Sequence, residues 1–311
     1  MKKLIPVFLI FVASFGCQTN SDNGSNLPDF PEGVQAISFL GDTLRTNITP
    51  LPEELAVRID SLSEAANKSG LITEHLIWEA RKTAYTGDYR KSVEEFSDAI
   101  AHFPDDARLY RHRGHRYLTL RELDLAISDF EKAAQLFEGE DDITEPDGLP
   151  NAENKPLSSL QTNTWYHLGL AQYLKGNYAE ANEAYRQGVS ITTNDDMLAA
   201  FLYWNYMALR KSGDDISAGT LLDAVQEEMD IIENESYHHL LLVFQGTFKA
   251  DDLLDGNESE LDNATIGYGL GFWHSINGRE SRATQIWRQV YDSGNWAPFG
   301  FIASEAELAR N

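Results

Sequence analysis

From residue 53 onward, apolar residues recur at three- and four-residue spacing, and Gly, Asn and Asp interrupt them at short intervals. That period belongs to amphipathic helices, and the interruptions are turn residues. The stretch from Asn163 to Ser190, NTWYHLGLAQYLKGNYAEANEAYRQGVS, shows the pattern in full. It predicts a helix from about Thr164 to Lys175, a turn at Gly176-Asn177, and a second helix from about Tyr178 to Val189. Gly169 lets the two helices approach, Trp165 and Tyr185 fill the space between units, and Ala181 keeps the second helix near its neighbour. One such pair cannot bury its apolar face alone, so copies are expected on both sides.

The copies are visible. Thr73 to Pro104 places Ala80 at the small position, Gly87-Asp88-Tyr89 at the turn, and Phe96 and Ala99 on the second helix. Ala107 to Leu136 does the same with Gly114, Ala126, Phe130 and Ala133, and adds Tyr110 and Tyr117. Ala80 to Gly114 and Gly87 to Arg121 are both 34 residues. Gly114 to Gly169 is 55, so 21 extra residues form an insert at about 138–158, acidic in its first half and turn-rich in its second. Turn glycines continue at Gly213, Gly246 and Gly278. They define a fourth repeat from Asn194 to Glu228, a fifth from Glu235 to Asp255 with a short second helix, and a sixth from Asn263 to Ser293 with Gly271, Ala283 and Trp287. Before the array, Leu27 to Pro52 is Pro-rich with a short extended piece at Val34 to Leu40. Pro52 then opens a lead-in helix carrying Leu55, Ile59, Leu62 and Ala66. Pro298 to Arg310 reads as a closing helix whose polar side, Ser304, Glu305, Glu307 and Arg310, would shield the open edge of the last repeat.

Trp165, Leu168 and Gly169 form W-x2-L-G, and Ala181 and Tyr185 form A-x3-aromatic. With the 34-residue period, these residues resemble the tetratricopeptide repeat. The aromatic expected three residues after Gly169 is Gln172, with Tyr173 one step late. The resemblance implies an all-α fold: a right-handed superhelix, or α-α solenoid, with terminal capping helices. It also implies that the first helix of each pair lines a concave groove that takes a protein or peptide.

On that frame the groove candidates are Arg108, Arg111, His112 and His115 from the second repeat, Tyr166, His167 and Tyr173 from the third, and Tyr203 and Trp204 from the fourth. Arg108 to Arg121 holds five arginines and two histidines before the first acid, Glu122. Arginine pairs with carboxylate at two points, and Tyr and Trp offer rigid contact area, so this strip suits a partner with acidic groups. The Lys/Asn/Arg clamp by which some such repeats hold a carboxyl terminus is not matched. In the competing reading these arginines pair with acids of a neighbouring helix or of the 138–153 loop. A carbohydrate ligand stacking on Tyr166, Tyr203 and Trp204 is the second functional alternative, and groove carboxylates doing hydrolytic chemistry the third.

Charge narrows the field. Lys plus Arg is 25 against 49 Asp plus Glu, a formal net charge of −24, which disfavours nucleic acid, since phosphate binding needs a basic face. No zinc-protease, calcium-loop, phosphate-loop or serine-elbow pattern occurs, so the expectation is a non-enzyme without cofactor or metal. His238-His239 are adjacent on one helix and point apart.

Residues 1–16 have a signal-peptide layout: Met1-Lys2-Lys3, then an apolar run from Leu4 to Phe15, too short for a comfortable membrane span. Ser14-Phe15-Gly16-Cys17 resembles the lipobox of bacterial lipoproteins, which implies that Cys17, the one cysteine, is the lipid attachment. Residues 17–52 hold that cysteine, a polar tether (QTNSDNGSN) and the Pro-rich lead-in, and residues 53–311 are the repeat domain. The expected location is the bacterial cell envelope, as an outer-membrane lipoprotein, periplasmic or surface-exposed, touching the membrane only through the anchor.

Overall fold

The computed structural model describes residues 26–46, 48–146, 148–151, 153–253 and 264–310. The architecture is all-α: among the described residues there are thirteen α-helices, most of them in consecutive antiparallel pairs. A lead-in helix, α1 (Glu53–Lys68), precedes the pairs α2 (Ile72–Tyr85) with α3 (Tyr89–His102), and α4 (Ala107–Thr119) with α5 (Leu123–Leu136). Then come α6 (Leu160–Lys175) with α7 (Tyr178–Ile191), and α8 (Asp195–Ser212) with α9 (Asp215–Leu221). The fifth unit has α10 (Glu235–Gln245), followed by a 3-10 turn at Ala250–Leu253. The sixth pairs α11 (Ala264–Ile276) with α12 (Glu280–Asp292), and α13 (Phe299–Arg310) is the last described helix.

The pairs close where the sequence is small. A Cβ added to Gly114 would meet Phe130 at 2.8 Å, one at Gly169 would meet Tyr185 at 2.3 Å, and one at Gly271 would meet Trp287 at 2.2 Å. Each glycine thus receives the large ring sixteen residues later, the same knob and hole in three repeats. First helices end in a left-handed residue: Gly87, Gly176, Gly213, Gly246 and Gly278 lie at φ between +72° and +93°. In the second repeat Arg121 takes that role at φ +67°, a conformation costing a non-glycine residue about 1–2 kcal/mol.

Strands β1 (Val34–Ile37) and β2 (Thr43–Arg45) form a short antiparallel hairpin, with Ala36 opposite Leu44 and Ile37 opposite Thr43. The hairpin touches the other end of the chain. Trp296 Nε1 donates to the Arg45 carbonyl at 2.9 Å, and the hydroxyls of Tyr291 and Ser38 are 3.0 Å apart.

Helix α13 departs from its sequence expectation. Ser304 and Glu305 are fully buried and Glu307 nearly so; these residues shield no outer edge. The helix lies inside the curve of the array. Glu305 pairs with Arg121 beyond α4 and accepts from the Phe39 backbone N–H at 2.6 Å. Glu307 pairs with Lys211 of α8 at 2.7 Å. The Arg310 guanidinium donates to the Leu174 carbonyl at the end of α6. Its carboxylates tolerate burial because each meets a fixed cation or backbone donor. The superhelix is therefore filled along its inner side by its own last helix.

Candidate binding site

The tyrosines and tryptophan expected to face a ligand face one another. Tyr173, Tyr203 and Trp204 are at most 1% exposed. Trp204 Nε1 donates to the Tyr166 hydroxyl at 2.9 Å, and that hydroxyl is 2.9 Å from that of Tyr237 on α10. The Tyr173 hydroxyl meets that of Tyr268 on α11 at 2.5 Å, and Trp204 stacks on Tyr268 with centroids 5.6 Å apart. Side chains on the inner helices of the third, fourth, fifth and sixth units thus meet across the axis. Burial raises the pKa of Tyr166, Tyr173 and Tyr203 well above the ordinary tyrosine value. Tyr166, Tyr203 and Trp204 offer no open platform for a sugar ring; the carbohydrate expectation loses its residues to core packing.

The basic strip divides. Arg108 is held outside, by Asp106 at 2.6 Å and Glu74 of α2 at 2.8 Å. Arg113 forks onto Asp129 of α5 with two bonds of 2.8 Å. The rest points inward, where α2, α4, α6 and the insert enclose a cavity of about 240 Å³. Arg111, His112, His115 and His167 line it, and so do Arg81 and Arg116, which the sequence reading did not select. Tyr85, Phe96 and Asn163 complete the walls, and Glu145, Pro146 and Ser158 form the lid.

The insert makes that lid by returning on itself. Thr144 and Ser159 form an antiparallel bridge, the Glu145 N–H donates to the Ser158 carbonyl at 3.1 Å, and the Leu160 N–H donates to the Ile143 carbonyl at 2.8 Å. Arg81 donates to the Pro146 carbonyl at 3.1 Å, and Gly148 sits so near Tyr85 that a Cβ would meet its hydroxyl at 2.4 Å. Glu145 is thereby buried, paired with Arg111 at 2.8 Å. The loop acid of the competing reading is found on Arg111.

Protonation follows from geometry. Arg111 Nη1 donates to His112 Nδ1 at 2.8 Å, so a neutral His112 carries its proton on Nε2, which faces Glu145 Oε1 at 3.5 Å. His167 Nδ1 donates to the Asn163 carbonyl at 2.6 Å, leaving its Nε2 bare. Burial, then the neighbouring arginines, push His112 and His115 well below the ordinary histidine value. Burial does the same to His167, helped by Arg111. Desolvation lowers Arg116 to about 10 and raises Glu145. With the histidines neutral, three guanidiniums face one carboxylate among the described residues lining the cavity.

A second concavity, of about 800 Å³, opens between the α3–α4 turn and the start of the insert. Its floor is Phe103, Ala107, Phe137 and Leu160, and its rim carries Asp105, Asp106, Glu140 and Asp141. Ile143 stands in it half exposed. Arg108 is the one member of the expected groove set that lines it, and its charge is already met.

Other acids serve the backbone. Asp196, fully buried, accepts from the N–H groups of Ile232, Glu233 and Asn234. His238 Nε2 meets the Gln226 carbonyl at 2.7 Å. Among the described residues no group of three His, Cys, Asp or Glu is placed to hold a metal. Cys17 lies outside the described residues.

Tetratricopeptide-repeat family models match residues 79–141 and 162–195, the units in which the glycine-and-ring contact was found at Gly114 and Gly169. The chain is a tetratricopeptide-repeat protein. Among curated proteins this tetratricopeptide-repeat chain is similar to the Protein SGT1 homolog of Bos taurus, 24% identical over 174 residues. The match takes in 56% of this chain and 45% of that protein, so the chain spans under half of the relative's length. Among solved structures it is similar to one of Naa15/Naa10 bound to HypK-THB, at 14% identity and a TM-score of 0.35, over 75% of this chain and 33% of the other.

Proposed function

We propose that this tetratricopeptide-repeat protein is a protein-binding scaffold, anchored outside the cytoplasm through a lipid on Cys17, and that its partner docks in the cleft beside the α3–α4 turn. The repeat family supports the scaffold role, because stacked helical hairpins offer extended surface rather than a reaction centre. The inner face, where a peptide was expected, is taken by α13 and by aromatic packing. The observation that carries the proposal is the cleft's composition: an apolar floor, a half-exposed Ile143, and four acids on the rim. Such a surface takes an extended segment with an apolar anchor flanked by Lys or Arg. The partner's segment is thus basic, opposite in sign to what the arginine strip alone implies. The signal-like residues 1–16 and the lipobox-like Ser14 to Cys17 support the anchor.

A photo-crosslinking residue placed at Ile143 in intact envelopes tests this, with Ile216 on α9, 86% exposed, as the reference position. A discrete adduct from position 143 is expected, absent from position 216 and lost when Glu140 and Asp141 are both changed to Lys. Cys17→Ser is expected to release the protein from the membrane fraction. Equal labelling at the two positions, or a Cys17→Ser chain that stays with the membrane, would overturn the corresponding half of the proposal.

A further inference from the structure

The cavity under the insert differs in kind from the cleft. It is smaller and less open, and at about 240 Å³ it holds the volume of about eight waters, too little for a folded segment and ample for a small ion. Its polar lining is mostly donors. Arg81 spends two bonds on neutral acceptors, the Pro146 carbonyl and the Tyr85 hydroxyl. Arg116 lies 5.9 Å above the Tyr89 ring and forms no ion pair with a carboxylate among the described residues. Among the described residues one buried carboxylate, Glu145, faces the set, and its Oε1 has no hydrogen-bond partner there, His112 Nε2 standing 3.5 Å away. A cluster of partly buried cations with less than its complement of anions is costly, and desolvation lowers Arg116 to about 10.

We propose that this cavity binds a small oxyanion carrying two negative charges, held by the guanidiniums of Arg81 and Arg116 beside the Arg111–Glu145 pair. Guanidinium groups pair with phosphate and carboxylate oxygens through two parallel bonds. The ion balances the two cations that Glu145 leaves over among the described residues. It also fastens the insert, since Arg81 holds the lid through the Pro146 carbonyl. Glu145 acts as a built-in competitor, its negative charge opposing the ligand's. The inference is independent of the cleft and of the lipid anchor.

The test is calorimetric titration of the full chain with inorganic phosphate at constant ionic strength, alongside succinate and chloride. Saturable binding of phosphate or succinate, but not chloride, is expected, and the stronger of the two tells a tetrahedral from a planar ligand group. Arg116→Met should weaken it at least tenfold, and Glu145→Gln, which keeps shape and removes charge, should tighten it severalfold. Arg288→Ala, on α12, should leave it unchanged. Absence of a saturable response to both oxyanions in the unaltered chain and in Glu145→Gln, or equal binding by the unaltered chain and a folded Arg116→Met, would overturn the proposal.

Discussion

At the scale of residues, the cavity's three histidines make the protein acid-sensitive in a stated direction. His112, His115 and His167 titrate in the fold below their ordinary value of 6.5. Between that value and the folded one, the unfolded chain binds more protons, so stability falls as pH falls. The stability is complete above about pH 6.5 and is lost on acidification below it, by at most about 1.4 kcal/mol per pH unit for each ring. Glu145, raised by burial, titrates in the opposite sense and offsets part of the loss. Denaturant unfolding at pH 7.0 and 5.5 should show a clear drop for the unaltered chain and a smaller one for His115→Gln. Identical drops would remove the histidines from the account. That Arg111, His112, His115 and His167 belong together was legible in the sequence, because repeat position puts them on the inner faces of two successive first helices. Arg81 and Arg116 were not, since helical spacing does not say that the insert will form a lid above both.

At the scale of elements, the helix pairs, their turns and the insert could be read from small residues, rings and turn glycines at a fixed period. The place of α13 could not. Its sequence, FGFIASEAELAR, reads as a half-polar helix, and nothing in periodicity reveals that Arg121 and Lys211 await its acids from far along the chain. One signal was present: Ala264 to Ile276, ATIGYGLGFWHSI, has no Asp, Glu, Lys or Arg, and a helix apolar on all sides is buried on all sides. Arg121 in a left-handed turn where other repeats hold glycine was a second. Its side chain donates to Glu305 at 2.7 Å and to the Trp296 carbonyl at 2.9 Å, which explains an arginine at that turn. Breaking the pair with Glu305→Ala should cost about 3–5 kcal/mol, while the double change Arg121→Met with Glu305→Leu should recover much of the loss. Urea unfolding of the three chains checks this; a Glu305→Ala cost below about 1 kcal/mol would mean that the buried pair does not hold α13 in place.

At the scale of the whole molecule, the array is closed rather than open. The amino-terminal hairpin meets Tyr291 and Trp296, inner helices from the third to the sixth units touch through paired hydroxyls, and α13 runs through the space they leave. An open tetratricopeptide superhelix binds along its concave face; a closed one must bind at its edges, which is why the cleft and not the groove carries the functional proposal. Hydrogen–deuterium exchange of the peptide spanning residues 299–308 tests closure most directly. Buried core helices open only with large parts of the fold, so its amides should exchange as slowly as those of α6 and α8. Exchange within seconds, as in a fraying terminus, would mean that α13 leaves the interior and that the concave face is free to bind.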